Sequence, residues 1–265
     1  AIYAGQRVYD VHVHAAMDEM TAMMADVVAL EKTYATYNDA KWAAYDIQDN
    51  SVASSDEVKS AFDAVVDYIC DVATVSSAAE LQALVDTLES ACQVYVVNAQ
   101  PVNGFTFDYT FLIDGVGNSA DGWAKNIAGF SGNFVYKYSN EKDTETLKKT
   151  GFIEAWNPSA YNGTISYTKE GLPNGYYRLS AYAFTNGTTS FFANDKSVAV
   201  EKTEKYVQPI VDSVMVTDGT LAFGLDVENA NWVGITNVEL AYVAAIPDSI
   251  LYGAREQILG QHTLV

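Results

Sequence analysis

Apolar residues recur at two different periods along this chain, and the change between them divides it. Through the first hundred residues the period is helical. Val13, Met17, Met20, Met24, Val27 and Tyr34 follow one another at alternating steps of four and three, with only Glu31 interrupting, which predicts one apolar stripe along a long helix starting near residue 5. A shorter helical piece is expected over residues 41–45. Ser54-Ser55-Asp56-Glu57 is a capping-box pattern that opens a second helix, with Val58, Phe62, Val65, Ile69 and Val72 inward. Ser77-Ala78-Ala79-Glu80 opens a third, with Leu81, Leu84, Val85, Leu88 and Cys92 inward. Three amphipathic helices joined by short polar turns predict an antiparallel bundle over 1–100, with the Met stripe as core filler.

From about Val102 the period shortens to two. Tyr177, Leu179, Ala181 and Ala183 alternate with Arg178 and Ser180, so one strand face is apolar. Asn162-Gly163, Pro173-Asn174-Gly175, Asn186-Gly187 and Asp218-Gly219 read as turns between short strands. Val214–Val216 and Leu221–Phe223 around Asp218-Gly219 are expected to form a hairpin. Many short strands with regular turns and no alternating βα units predict an antiparallel β-sandwich over 101–245. The fold class is therefore α+β in several parts, completed by a helical tail over 246–265 between Pro247 and Gly260.

Charge and composition narrow the partners. With 15 basic and 34 acidic residues among 265, the net charge is −19, which disfavours nucleic acid and anionic membrane surfaces. No uncharged run reaches the roughly 20 apolar residues of a spanning helix, so no membrane insertion is expected. The first residue is Ala1, which is consistent with a processed or trimmed chain. Cys70 and Cys92, the two cysteines, are expected to be small buried thiols.

Candidate chemistry is sparse. Asp10-x-His12-x-His14 has the spacing with which metallohydrolase barrels hold a metal from one strand. On a helix the two imidazoles point about 200° apart and cannot share an ion. The only other histidine is His262, so the further ligands are missing. No nucleophile elbow, phosphate loop or dinucleotide fingerprint is present, and no enzymatic activity is expected. Glu154, beside Trp156, is the one acid worth testing, with a hydrogen-bonding role the simpler expectation. Asn162 and Asn186 each begin an Asn-Gly-Thr acceptor pattern, though both also read as ordinary Asn-Gly turns.

Two long runs carry a family resemblance. "NGTISYTKEGLPNGYYRLSAYAFTNG" (162–187) resembles the central strands of galactose-binding-like jelly-roll domains, and "VTDGTLAFGLDVENANWVGITNVELAYV" (216–243) resembles their closing hairpin and last strand. "DGW" (121–123), "EAWN" (154–157) and "FFAND" (191–195) fall in the expected order, so the likeness covers about 103–245. It implies a carbohydrate-binding-module type of domain in a bacterial glycan-handling protein, extracellular or at the cell surface. Members often carry a structural calcium held by a carboxylate near the start of the last strand. Thr236 stands where that carboxylate falls here, so no cofactor is expected.

Aromatic faces pack on the C–H face of a pyranose while amides bind its hydroxyls. That chemistry points to Trp156, Asn157 and Tyr161 in a polar, Pro-containing loop, and to Asn231 and Trp232 after the "DVENA" loop, as carbohydrate-binding residues. The expected function is non-catalytic glycan binding through the sandwich loops. The alternatives are a structural subunit of a surface layer or fibre that contacts other copies of itself, and an accessory module of a glycoside hydrolase.

Overall fold

The computed structural model describes residues 2–72, 74–75, 77–138, 151–247 and 249–250, with backbone alone for residues 2–10, 71–72 and 204. The chain divides into two compact units, Ala1–Gln100 and Pro101–Val265. From residue 251 the expected C-terminal tail lies outside the described residues.

The first unit is helical. Helix α1 runs unbroken from Ile2 to Asp49, so the separate piece expected over 41–45 is part of it. No Gly or Pro occurs between residues 6 and 49, and nothing in the sequence stops the helix there. Strand β1 (Ser51–Ala53) follows, then α2 (Asp56–Asp67), which unwinds into a π-turn over Tyr68–Val72. Helix α3 spans Ala78–Val96, and β2 (Ala99–Pro101) pairs with β1. Both helix starts are capped by serine, α3 by the Ser77 of the expected box and α2 one residue later than expected, by Ser55 rather than Ser54. The Ser55 hydroxyl accepts from Val58 N at 3.4 Å and the Ser77 hydroxyl from Glu80 N at 3.2 Å. Phe62, Val66 and Ile69 meet Leu81, Val85, Leu88 and Tyr95 in the core, with the Phe62 and Tyr95 rings stacked at 4.2 Å.

The Met stripe is not in this core. Met17, Met20, Met24 and Val27 are 58–66% exposed, and Tyr34 is 55% exposed. Length explains the reversal. At 1.5 Å per residue α1 extends about 72 Å and α3 only about 28 Å, so α3 covers only part of α1. The covered part is the C-terminal end, where Ala44 is fully buried, Tyr37 Oη donates to Ile69 O and Lys41 Nζ to Cys70 O.

The second unit is built on two long strands. In chain order its strands are β3 (Phe107–Asp108), β4 (Trp123–Ile127), β5 (Asn133–Tyr138), β6 (Gly151–Lys169), β7 (Gly175–Thr185), β8 (Thr188–Ala193), β9 (Lys196–Ala199), β10 (Thr203–Val207), β11 (Ile210–Val216) and β12 (Leu221–Ala244). The C-terminal half of β6 pairs with the N-terminal half of β12, flanked by β4 on one side and by β8 and β9 on the other. The N-terminal half of β6 pairs with the C-terminal half of β12, flanked by β5 and by β7 with β10 and β11. Every pairing between these ten strands is antiparallel, and β6 and β12 belong to both layers of the resulting sandwich. Ile165, Phe191, Phe223 and Leu225 from one layer and Ile153, Leu179, Ala183, Val214 and Ile235 from the other are completely buried.

The strands cross between layers at one corner. Opposite the corner, Tyr161 pairs with Ala230 and Trp156 with Trp232, which leaves four residues of β6 facing one of β12. Pro158 sits in this bulge, where its missing N–H costs no ladder bond. The polar loops expected around Asn157 and before Asn231 are thus strand segments with bulges. Asn162-Gly163 likewise lies within β6 and is not a turn. Asp218-Gly219 does turn the chain, with Gly219 at φ +75°, but it joins the two layers. β11 pairs with β7, whereas the start of β12 pairs with β6 and β8, so the expected hairpin is an arch between sheets. The arch is fastened by Gly219 N donating to Asn174 Oδ1 at 3.1 Å and Leu172 N donating to Gly219 O at 3.0 Å.

Glycines on both sides let the corner close. A Cβ on Gly132 would lie 1.8 Å from Trp156 O, and one on Gly187 would lie 1.9 Å from Asn229 O. These are backbone atoms of the two bulges and cannot rotate away. Gly187→Ala is therefore expected to cost about 1–3 kcal/mol of stability, as overpacking does, measured as a lower urea midpoint at unchanged slope. A second expectation concerns the thiols. Cys70 and Cys92 form no disulfide and are part-buried rather than fully buried, and burial, followed by the nearby Glu89 and Cys70, pushes the Cys92 thiol up to about 12. Cys92 should therefore react at pH 8 at least about tenfold more slowly with a disulfide reagent in the folded protein than in urea.

Candidate functional site

One face of the β5–β6–β12–β7 layer looks away from the sandwich core and is lined by aromatic rings. It is set by strand period. Phe152, Glu154 and Trp156 share one face of β6, and Val135 and Lys137 lie beside them on β5. Trp232, Gly234 and Thr236 lie on the same face of β12, and Tyr182 and Phe184 on that of β7. Both Trp232 with Trp156 and Gly234 with Glu154 are direct cross-strand partners, so their side chains share a face.

A buried carboxylate organises the centre of this face. Glu154 is 4% exposed, and its Oε2 accepts from Trp232 Nε1 at 2.8 Å and from Lys137 Nζ at 3.2 Å. Its role is thus that of a hydrogen-bonding group that orients the Trp232 indole. Phe184 supports the same indole edge-on at 5.3 Å, and Phe152 meets Phe184 edge-on at 5.1 Å. Tyr206 closes against Phe184 at 5.8 Å and Tyr182 at 6.4 Å. Gly234 leaves the space these rings use. A Cβ there would lie 2.4 Å from the Phe184 ring. Trp156 stands beside this cluster and remains 38% exposed.

The five residues singled out in the sequence separate into two kinds. Trp156 and Trp232 are brought together on this outer face, Trp156 exposed at its margin and Trp232 half-buried against a ring cluster in which Phe152 and Phe184 are completely buried. Asn157, Tyr161 and Asn231 instead hold the corner. Asn157 is buried, with Oδ1 accepting from Ser131 N at 3.1 Å and Nδ2 donating to Ser159 O at 2.8 Å. Tyr161 is buried against Phe130, its hydroxyl donates to Ala155 O at 3.1 Å, and burial raises its pKa. Asn231 is bound through its side chain to Asn186. Asn186 Oδ1 also accepts from the backbone N–H of Asn231 and of Trp232, both at 3.2 Å. The amide of this acceptor-pattern residue thus serves the turn that fixes the Trp232 backbone.

Lys137, Tyr182 and Tyr206 belong to the face but were not singled out in the sequence. Only the alternation Phe152-Glu154-Trp156 hints at it, because their cross-strand neighbours come from distant segments. Further along the same face of β7, Arg178 and Ser180 border a cleft of about 490 Å³ shared with Thr106, Asp108, Thr110 and Glu239. Ser180 Oγ donates to Glu239 Oε2 at 2.9 Å, and Arg178 is paired with Asp212.

His12 and His14 lie on α1, where helical geometry separates their side chains. Thr236 is buried and its hydroxyl donates to Gly151 O at 2.6 Å, so this position presents a neutral donor already engaged and does not fit a calcium ligand. No described helix is long and apolar enough to cross a membrane.

The Glu154 network gives a direct test of the orienting role. Glu154→Ala removes the acceptor of the indole N–H and is expected to cost about 1–3 kcal/mol, while Glu154→Gln, which keeps an acceptor, should recover most of that loss in the same urea titration.

No family model matches the sequence, and no curated protein matches it. Solved structures do. The carbohydrate-binding module TmCBM61, solved in complex with β-1,4-galactotriose, is 18% identical, covers 48% of this chain and 94% of its own, and superposes with a TM-score of 0.40. The CBM22-1 xylan-binding domain of Paenibacillus barcinonensis Xyn10C is 11% identical over 49% of this chain and 97% of its own, with a TM-score of 0.34. The CBM36-1 domain of a multidomain xylanase from the hindgut metagenome of Trinervitermes trinervoides is 12% identical over 48% and 96%, with a TM-score of 0.31. Over about half its length the chain is similar to carbohydrate-binding modules.

Proposed function

We propose that this chain is a non-catalytic carbohydrate-binding protein, acting outside the cell or at its surface, whose sandwich holds a glycan at the exposed Trp156 margin of the outer face of the β5–β6–β12–β7 layer. The observation that carries the reading is the cross-strand pair Trp156 and Trp232, two indoles on one face with Trp156 38% exposed. An exposed aromatic plane on a rigid sheet matches the C–H face of a sugar ring, and it loses little freedom when the ring docks. Lys137, which lies on the same face opposite Phe152 and is paired with Glu154, supplies a donor for hydroxyls, and the polar cleft at Arg178, Ser180 and Glu239 supplies donors and acceptors further along β7. The net charge of −19 repels an anionic polysaccharide, so the ligand is a neutral glycan.

This placement differs from the loops anticipated in the sequence. The amides of Asn157 and Asn231 are engaged at the corner, which moves the proposed site from the ends of the sandwich to its face. Trp156→Ala removes exposed surface and leaves Glu154, Trp232 and the corner in place. It is expected to weaken binding of a neutral β-glycan at least tenfold, about 1.4 kcal/mol, at an unchanged melting temperature. Isothermal titration against a panel of soluble xylan, galactan and mannan measures this. Equal affinities of Trp156→Ala and wild type, or no binding across the panel, would sink the proposal.

A further inference from the structure

The exposed half of α1 carries a surface that a monomer leaves in water. Val11, Met17, Met20, Met23, Met24, Val27 and Val28 are all more than half exposed, and among the described residues nothing in the first unit covers them. Soluble monomers rarely expose a continuous apolar patch of this extent. The residues are also ordered along the helix. Val13, Met20, Val27 and Tyr34 recur every seven positions, as do Met17, Met24 and Glu31, and together they form the alternating four-three seam by which two helices interlock. Met23, Val28 and Leu30 flank the seam and widen it.

We infer that this seam pairs with the same seam of a second copy, antiparallel, to form a dimer through α1. The orientation follows from the single charge in the stripe. In a parallel pair Glu31 would meet the partner's Glu31 inside an apolar seam, where like charges repel and neither is solvated. An antiparallel pair centred on Ala22 sets Met17 opposite the partner's Val27 and Met20 opposite the partner's Met24. Glu31 then lies level with the partner's Val13 and the partner's His14, so the carboxylate meets an imidazole and not its own kind. Size agrees as well. From Val11 to Tyr34 the shared helix is about 35 Å long, and a face of this width buries roughly 1,000 Å² between two copies, where specific association begins.

The test is sedimentation equilibrium of the full chain. Wild type is expected to be dimeric at roughly 100 µM with a Kd at least tenfold below that concentration. Met20→Glu with Met24→Glu should raise the Kd at least about 100-fold. Both side chains are exposed within one copy, so the helical circular dichroism of the variant at low concentration should match that of monomeric wild type. Orientation is read by cross-linking in a background with Cys70 and Cys92 replaced by Ala. Val13→Cys alone should stay uncross-linked under mild oxidation, while Val13→Cys with Glu31→Cys should form a covalent dimer. A wild-type chain that remains monomeric, a dimer that survives the double Glu substitution, or ready cross-linking of Val13→Cys alone overturns the inference.

Discussion

The corner at which β6 and β12 pass together from one layer of the sandwich to the other is the constraint on which the second unit depends. The two strands remain paired on both sides of it, and four residues on β6 are accommodated against one on β12. Neighbouring strands must turn at the same level. β4 and β5 do so through the segment containing Gly132, and β7 and β8 through Asn186-Gly187. Each flanking glycine lies where a Cβ would enter the backbone of a bulge. Two amide side chains satisfy backbone groups at the bulges and their flanks: Asn157 donates to Ser159 O and accepts from Ser131 N on the β4–β5 side, and Asn186 accepts from Asn231 N and Trp232 N on the β7–β8 side. Bulge, glycine and amide form one device on each flank.

The open face inherits its geometry from that device. Trp232 directly follows the β12 bulge, and its backbone N–H is held by Asn186. Its indole N–H is held by Glu154, two residues along β6 from Trp156. The ring is therefore fixed at both ends, by the corner below and by a buried carboxylate on the neighbouring strand. Because Glu154 also receives Lys137, a charge that would be costly alone lies under an aromatic surface with a cation beside it. That arrangement leaves Trp156, 38% exposed and with no ring packed on it among the described residues, at the margin of the face.

Helix starts are legible in the sequence to within one residue, because capping is local. Ser55 and Ser77 cap helices because a hydroxyl reaches an N–H three residues on, which requires nothing distant. The apolar period of α1 was equally legible, but burial was not, because it depends on how far α3 extends. Asp218-Gly219 marks a real turn, yet the same turn chemistry serves a hairpin and an arch between sheets, and only the distant partners β7 and β6 distinguish them. Pro158 and Asn162-Gly163 carry turn propensity but occupy a bulge and a strand, where long-range pairing overrides local preference. In the site, the two tryptophans were recognisable by type. Lys137, Tyr182 and Tyr206 were not, since register alone brings them to the face.

The two units also differ in how their contacts are spread along the chain, and this bears on how each folds. The helical unit starts from capped helices whose hydrogen bonds are local, and its main packing, α1 against α3, spans only α2 and its connections. The sandwich relies on β6 meeting β12, with Lys169 paired to Leu221 and Ile153 to Ile235 across the whole of β7 to β11. Loop-closure entropy must be overcome before that ladder contributes anything. The half of the ladder nearer the intervening segment closes the smaller loop, so pairing from Lys169 and Leu221 towards the corner is the less costly order. The corner then forms only when both halves are in register, because a one-residue slip on either side would turn Trp156 and Trp232 to opposite faces. The bulge that positions the aromatic pair thus also fixes the register of the sheet that carries it.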